Sequence, residues 1–379
     1  MTQDFKVAKI EIIPIRLPLT VPFVVAYASY SDVQSVLVKI TSPSGAEGWG
    51  EATPDPHVTG ESWHGVAENL RHSLAPVIVG TDARNIALAH AMMNDLLAFN
   101  PSAKAAIDIA LHDLAGRVYG TPVWALLGGA CRDHLTISRV VSMLSPQEMA
   151  DDALRHVSDG FDTIKLKVGD TASPQLDVER IHAVREAVGP GIGIKVDVNQ
   201  GWSHPGTAIA VIRESASARP AYFEQPVSSW NIEGLAEVRK QTGAIIMADE
   251  TCLGPVDMQR IVSLRAADLV NIKLMKSGGI APALKVNTIA ETSGITSQIG
   301  TMVESSIASA AGLHTALSLS NVLTVEMGGP LMIAEDVGDV RGWYSKNTIT
   351  VPDKPGLGII VDEDRVAALQ VARWEISAR

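Results

Sequence analysis

The sequence predicts an α/β fold: a (β/α)7-8 TIM-type barrel preceded by an α+β capping domain, which the C-terminal segment completes. Three observations carry this. Up to about residue 130, strand patterns come first and helical patterns follow, the order of an α+β unit. From residue 135 the pattern becomes eight alternations of strand and helix within about 200 residues, which a closed parallel barrel accommodates. Charged residues then recur at the ends of successive strands, with Lys167, Asp197, Glu224, Asp249 and Lys273 separated by 30, 27, 25 and 24 residues, each step close to one β/α unit. The expected division is 1–130 for the capping domain, 131–335 for the barrel and 336–379 for the returning segment.

In the first unit, residues 6–17, 33–40 and 46–51 alternate apolar and polar positions, and Ser42-Pro-Ser-Gly45 separates the last two, so an antiparallel meander is expected. Helices are expected from Ser62 to about Val77, Arg84 to about Leu97 and Ala103 to about Tyr119. Asn100-Pro-Ser102 starts the last, and Gly120-Thr-Pro122 ends it. Barrel strands are expected at 135–143, 162–168, 192–198, 221–225, 244–249, 268–274, 294–301 and 322–327, with helical patterns starting near Pro146, Gln175, Pro205, Asn231, Pro255, Ala281 and Ser305. An open doubly wound sheet is the competing architecture. It calls for a Gly-rich phosphate turn after its first strand, and the sequence has none. Residues 340–379, including Pro352-Asp-Lys-Pro-Gly-Leu-Gly358, read as short strands and turns.

Composition narrows the function. With 46% apolar residues the chain has ample core, and 31 basic against 42 acidic side chains leave a formal charge of −11. No Lys/Arg block forms a phosphate-binding stripe, which argues against nucleic acid. The N-terminal Met-Thr-Gln-Asp-Phe-Lys-Val lacks the build of a signal peptide, and no apolar run approaches the roughly 18 residues of a membrane span. A cytoplasmic enzyme without membrane partners is expected. Cys131 and Cys252 are too few for a disulfide framework and are read as reduced thiols.

Thr163-Ile-Lys-Leu-Lys-Val-Gly169 places Lys165 and Lys167 on one face of a strand and Ile164, Leu166 and Val168 on the other. An edge strand guarded by lysines would look similar. The charges at the following strand ends favour a site instead, because strand ends of this barrel carry catalytic groups. Asp197, Glu224 and Asp249 form an all-oxygen set without a Cys or a local His cluster, the chemistry that selects Mg2+, one ion per subunit, with Mn2+ as a substitute. Any one of them could be a cap or a surface ion pair, but three in register would repel without a cation. Asn199 and Glu250 are candidates to support these ligands, although either could be a local turn contact. Lys167 and Lys273 come from the second and sixth strands, on opposite sides of the barrel, so a substrate between them would meet a base on each face. Nearby positive charge is expected to lower a lysine toward the working range of a base. Lys276 reads as a solvated residue at a helix start.

Lys-Leu-Lys-Val-Gly, Asp197-Val-Asn199, Phe223-Glu-Gln-Pro226, Met247-Ala-Asp-Glu250 and Asn271-Ile-Lys-Leu-Met-Lys-Ser-Gly-Gly279 together resemble the muconate lactonizing enzyme subgroup of the enolase superfamily. The resemblance implies the general chemistry of that superfamily, proton abstraction to an enediolate stabilised by Mg2+. It assigns Asp197, Glu224 and Asp249 as metal ligands, Lys167 and Lys273 as the acid/base pair and Lys165 as an electrostatic helper. Within the subgroup the likeness is strongest to the N-succinylamino acid racemases. It rests on Phe23-Val-Val-Ala-Tyr-Ala-Ser-Tyr-Ser-Asp32, His57-Val-Thr-Gly-Glu-Ser-Trp63, Thr301-Met-Val-Glu-Ser-Ser306 and Val325-Glu-Met-Gly-Gly-Pro330. It implies that the first two stretches are loops closing over the barrel mouth and that Tyr27, Tyr30, His57, Thr301, Met302 and Glu304 contact substrate. Dipeptide epimerases carry Asp-x-Asp at the eighth strand, where this chain has Glu326-Met-Gly-Gly329, which disfavours an unprotected dipeptide. Mandelate racemases place a His base on the seventh strand, and Gly300-Thr301-Met302 offers none.

The expected function is therefore Mg2+-dependent racemisation of an N-acyl, in particular N-succinyl, amino acid, a small-molecule carboxylate. A muconate-type cycloisomerase or other enediolate-forming lyase is the alternative within the same chemistry, and a non-catalytic binding protein the alternative outside it. A homo-oligomer is expected on general grounds.

Overall fold

The computed structural model describes residues 3–377. Near its N-terminus, β1 (Lys9–Val25), β2 (Ala28–Thr41) and β3 (Glu47–Ala52) form an antiparallel meander, and β15 (Trp374–Ser377) adds to the free edge of β1 with Lys9 opposite Ser377. Both β1 and β2 run beyond the sheet. After a register shift between Pro18 and Phe23 they continue as a narrow ribbon in which Phe23 faces Tyr30 and Val25 faces Ala28. The stretch Phe23–Asp32, expected as a loop, is this hairpin. Pro18 and Pro22, which cannot donate to a ladder, interrupt the alternation that would have announced it.

The predicted helix from Ser62 begins at Trp63, capped by the Ser62 hydroxyl, but it is not a uniform α-helix. It widens to a π-turn over Leu70–Leu74 before finishing at Ala75–Ile78. Pro76 explains this, since its ring and missing N–H disrupt the preceding turn. The helix Pro101–Tyr119 lies across the meander with Ser102 to Gly116 buried. Gly50 permits that approach, because a Cβ there would stand 1.9 Å from the Ala106 carbonyl oxygen. Asn100 does not cap this helix. It adopts a left-handed conformation, and the Glu61 carboxylate instead accepts the N–H groups of Ser102 (2.9 Å) and Ala103 (3.2 Å).

The barrel strands are β5 (Arg139–Val141), β6 (Thr163–Lys167), β7 (Gly193–Asp197), β8 (Phe223–Glu224), β9 (Ile246–Ala248), β10 (Leu269–Ile272), β11 (Thr296–Ile299) and β12 (Val322–Val325). They pair in parallel in sequence order, and a bridge between Ile137 and Val325 joins the two ends of the series. The expected first strand breaks in two: β4 (Leu135–Thr136) leaves the barrel to pair with β14 (Thr348–Ile349), itself paired with β13 (Tyr344–Ser345). The C-terminal stretch thus divides between the small sheet with β4 and the β1 sheet. It also contains a helix, Glu363–Leu369, where only strands and turns were expected. Among the described residues no helix is long and apolar enough to cross a membrane.

One buried carboxylate fastens the capping unit to the barrel. Asp108 accepts the N–H of Ile280 at 2.6 Å, at the start of the barrel helix Ile280–Thr292, and is held by His90 Nε2 at 2.7 Å and His112 Nδ1 at 3.3 Å. Removing it leaves His90 and a helix start without their partner and takes the charge from beside His112, which keeps its bond to the Asp108 carbonyl at 2.8 Å. Asp108→Ala is expected to cost about 3 kcal/mol of stability, the scale for breaking a buried ion pair. Denaturant unfolding measures it, and a loss well under that value would mean that the junction relies on apolar packing and its other polar ties.

Candidate active site

Period-two alternation brings Lys165 and Lys167 inward from β6 while Ile164 and Leu166 pack outward in the core. Register then sets Lys167 opposite Asp197 and Asp197 opposite Glu224. With Asp249, just past β9, these carboxylates present oxygens all within 4.8 Å of one another, fully buried. Lysines surround them. Lys165 Nζ lies 2.9 Å from both Asp197 Oδ2 and Glu224 Oε2 and also pairs with Glu326. Lys167 Nζ donates to Asp197 Oδ2 (2.6 Å) and Asn199 Oδ1 (2.9 Å). Lys273 Nζ stands 2.7 Å from Asp249 Oδ2 on the other flank. Among the described residues Glu224 Oε2 and Asp249 Oδ2 nevertheless have no hydrogen bond of good geometry, although Lys165 and Lys273 stand 2.9 and 2.7 Å away.

The electrostatics follow from crowding. Burial raises Glu224, and the charge of Asp197 adds to this, bringing it to about 8 even though Lys165 opposes. Asp197 is also buried, but Lys165 and Lys167 hold it at about 2. Lys273 and Lys276 likewise overcome burial to hold Asp249 below the usual carboxylate range. Glu250 is pushed up to about 7 by burial and by Asp249. The expectation of a lowered lysine is reversed at Lys273: burial pulls it down, yet the charges of Asp249, Glu250 and Glu224 outweigh this and raise it above its ordinary value.

Lys276 is a correction. Far from being solvated, it is 1% exposed. Its Nζ donates to Asp249 Oδ1 (2.5 Å), to the Asn271 carbonyl (2.9 Å) and to the Asp249 carbonyl. Lys273 precedes a single helical turn, Leu274–Ser277, so positions 273 and 276 share a face and reach the same carboxylate. Other members of the site were not singled out from sequence. Asn271 Nδ2 donates to Glu224 Oε1 at 2.8 Å, and buried Lys195 reaches Ser138, Gln298 and Thr324 hydroxyl or amide oxygens at 3.0–3.2 Å. Each lies two residues before a residue that was singled out, Lys273 and Asp197, and that spacing on a strand was a usable signal.

A cavity of about 440 Å³ opens above the carboxylates, and the β1–β2 ribbon covers it. Tyr27 and Tyr30 line it, and their hydroxyls donate to Asp55 Oδ2 at 3.2 and 2.8 Å. Burial and the Asp55 charge raise both phenols above their ordinary value, so both stay protonated. Thr301, Met302 and Asn199 also line the cavity. His57 stacks on Tyr27 with ring centroids 4.4 Å apart and does not reach the cavity wall. Glu304 is buried behind the wall, where it accepts the Met302 N–H at 3.2 Å. Glu250 accepts from Asn199 Nδ2 at 3.0 Å and so steadies the residue that binds Lys167.

Comparison with known proteins agrees with this geometry. Residues 8–128 match the mandelate racemase/muconate lactonizing enzyme N-terminal domain, and residues 148–365 match the enolase C-terminal domain-like family. The chain belongs to the enolase superfamily. It is 42% identical to an N-succinyl-L-Arg/Lys racemase of Bacillus cereus over 97% of this chain and 98% of that one. It is 40% identical to an L-Ala-D/L-Glu epimerase of Bacillus subtilis over 94% and 97%. The crystal structure of the Bacillus cereus racemase superposes with a TM-score of 0.96, covering 98% of this chain and all of that one. That of a Cytophaga hutchinsonii dipeptide epimerase, complexed with Mg and a dipeptide, superposes at 0.92 with 32% identity, covering 98% and 99%. This superfamily member is an isomerase, as those racemases and epimerases are.

Glu304 offers a pH test separate from the carboxylate cluster. Burial first, and then the Glu51 charge, push it up to about 8. The folded state therefore keeps a proton that the unfolded chain releases near pH 4.5, so wild-type stability falls as pH rises between those values. Glu304→Gln lacks this loss. Its stability relative to wild type should climb from pH 5 to 8 by at most about 1.4 kcal/mol per pH unit. A difference independent of pH would place the Glu304 pKa in the ordinary range.

Proposed function

We propose that this isomerase racemises an N-acylated amino acid by moving the α-proton between Lys167 and Lys273. The observation that carries the reading is the position of the two ammonium groups, one against Asp197 and one against Asp249, on either flank of the buried carboxylate cluster. The cluster suits a hard divalent cation, with three carboxylates in reach of one another and Glu224 Oε2 and Asp249 Oδ2 lacking hydrogen bonds. Asp197, Glu224 and Asp249 would hold Mg2+. Bound there, Mg2+ supplies positive charge that makes the α-proton of a substrate carboxylate more acidic and offsets the carboxylate charge that raises Lys273.

In one direction neutral Lys167 takes the α-proton, leaving an enediolate, and protonated Lys273 delivers a proton to the opposite face. The reverse turnover exchanges the roles. Lys165 is buried, but Asp197, Glu224 and Glu326 keep it well above its ordinary pKa, so it contributes a fixed positive charge next to the developing dianion. The ribbon bearing Tyr27 and Tyr30 keeps water from the enediolate.

The N-acyl group is supported by the eighth strand. The Glu326 carboxylate is engaged by Lys165, with Lys195 3.6 Å away, so it is committed within the protein and is not free to pair with a substrate ammonium. Asp32 and Asp55 line the cavity, and no arginine lines it among the described residues. This favours a cationic amino-acid side chain, consistent with the Arg/Lys racemase relative.

Asp197→Asn, Glu224→Gln and Asp249→Asn are each expected to remove activity while leaving the fold, and chelation should silence the wild type equally. Full turnover after exhaustive EDTA treatment would sink the metal assignment.

The lysines can be separated by face. Lys167→Ala and Lys273→Ala should each lower racemisation at least about 100-fold, the span of a lost acid/base group. Each variant should retain exchange of the α-proton with solvent deuterium, but for opposite enantiomers. If both exchanged the same enantiomer, or if either still racemised, a one-base lyase or cycloisomerase would be the better account.

A further inference from the structure

A second cleft, of about 350 Å³, lies outside the barrel wall between β5, the end of the helix Pro146–Ser158 and β13. Arg139, Arg341 and Lys346 bring three positive charges to its lining, against one carboxylate, Asp159. Arg139 is the anomaly. It is half-buried, yet among the described residues no hydrogen bond or ion pair reaches its guanidinium. Burial draws it below its ordinary pKa, with Asp152 and Asp159 only partly countering. Its N–H donors are not shut away from solvent, so what fills the cleft is what can bind them. Arg180 and Arg185 show the ordinary solution: Arg180 binds Asp177, Asp170 and the Leu144 carbonyl, and Arg185 binds three carbonyls.

One of the two other cations is held in place. Arg341 is fastened to the Pro330 carbonyl at 2.9 Å and to that of Ile333, which satisfies donors without cancelling its charge. The Lys346 stem lies on Gly160, where a Cβ would come within 2.9 Å of Lys346 Cδ, and among the described residues no carboxylate pairs with its ammonium. His156, beside Arg139, is held below its usual pKa by burial and by the Arg139 charge, and its ring nitrogens lie 3.4 Å from Asp152 Oδ1 and 4.0 Å from Asp159 Oδ2. A cleft lined by three cations against one carboxylate, with Arg341 tied to two carbonyls and the Arg139 donors open, is complementary to an oxyanion.

We propose that this cleft binds a small free oxyanion, with phosphate as its simplest representative and the Arg139 guanidinium as its two-pronged donor. The same chemistry could come from a carboxylate on a second copy of the chain, and the experiment distinguishes the two. Phosphate is titrated into the wild type, Arg139→Met and Lys346→Ala by calorimetry, with thermal unfolding and sedimentation recorded alongside. Arg139→Met should be at least as stable as wild type without phosphate, since it replaces an unpaired charge by an apolar chain of similar length. Phosphate should raise the unfolding temperature of wild type, and either substitution should weaken its binding about tenfold or more, the scale of one lost charge-assisted bond. Equal phosphate responses in all three proteins, or none in wild type, would overturn the proposal. So would a change of sedimenting mass in Arg139→Met without any phosphate response, which would assign the cleft to a neighbouring subunit's carboxylate.

Discussion

The repulsion among three buried carboxylates governs this molecule. Asp197, Glu224 and Asp249 lie where water cannot screen them, and an uncompensated charge there would cost several kcal/mol. Four lysines answer it: Lys165 and Lys167 from β6, and Lys273 and Lys276 from the turn after β10. Even so, Glu224 is forced up and two carboxylate oxygens lack hydrogen bonds. The cluster is thus short of well-directed positive charge at one point, and a cation there would relieve it. Stability and chemistry draw on the same imbalance.

The barrel alone would leave this cluster open to solvent, and the capping unit closes it. Its ribbon covers the mouth, and its central helix is tied to the barrel through Asp108. Glu51 extends the attachment by accepting the N–H groups of Ser305 and Ala308 at the start of the helix Ser306–Ser318. Both ties use a carboxylate of one unit to satisfy the first N–H groups of a helix in the other, a favourable use of buried negative charge.

The pattern of residues made the barrel legible because each β/α unit repeats at nearly constant length, and five consecutive strands, the second to the sixth, carried a charged residue near the same end. Features that depend on contacts between distant segments did not show. Phe23–Asp32 read as a loop because prolines broke its alternation, yet the partner strand supplied the ladder. Asn100 looked like a helix cap, but Glu61, some forty residues earlier in the chain, performs that task. Lys276 read as solvated because its burial depends on the Leu274–Ser277 turn folding beneath Asp249.

By itself the sequence determined the strand-helix alternation, the inward face of each strand and the identity of the acidic and basic groups at the rim, since all three follow from short-range periodicity and side-chain chemistry. The tertiary structure decided which ammonium meets which carboxylate, how far each group is shifted from its ordinary pKa, which aromatic groups cover the cavity and that Arg139 has no partner among the described residues. Those outcomes depend on distance and burial. Both are set by the closing of a ring of eight strands, and no stretch of chain contains them alone.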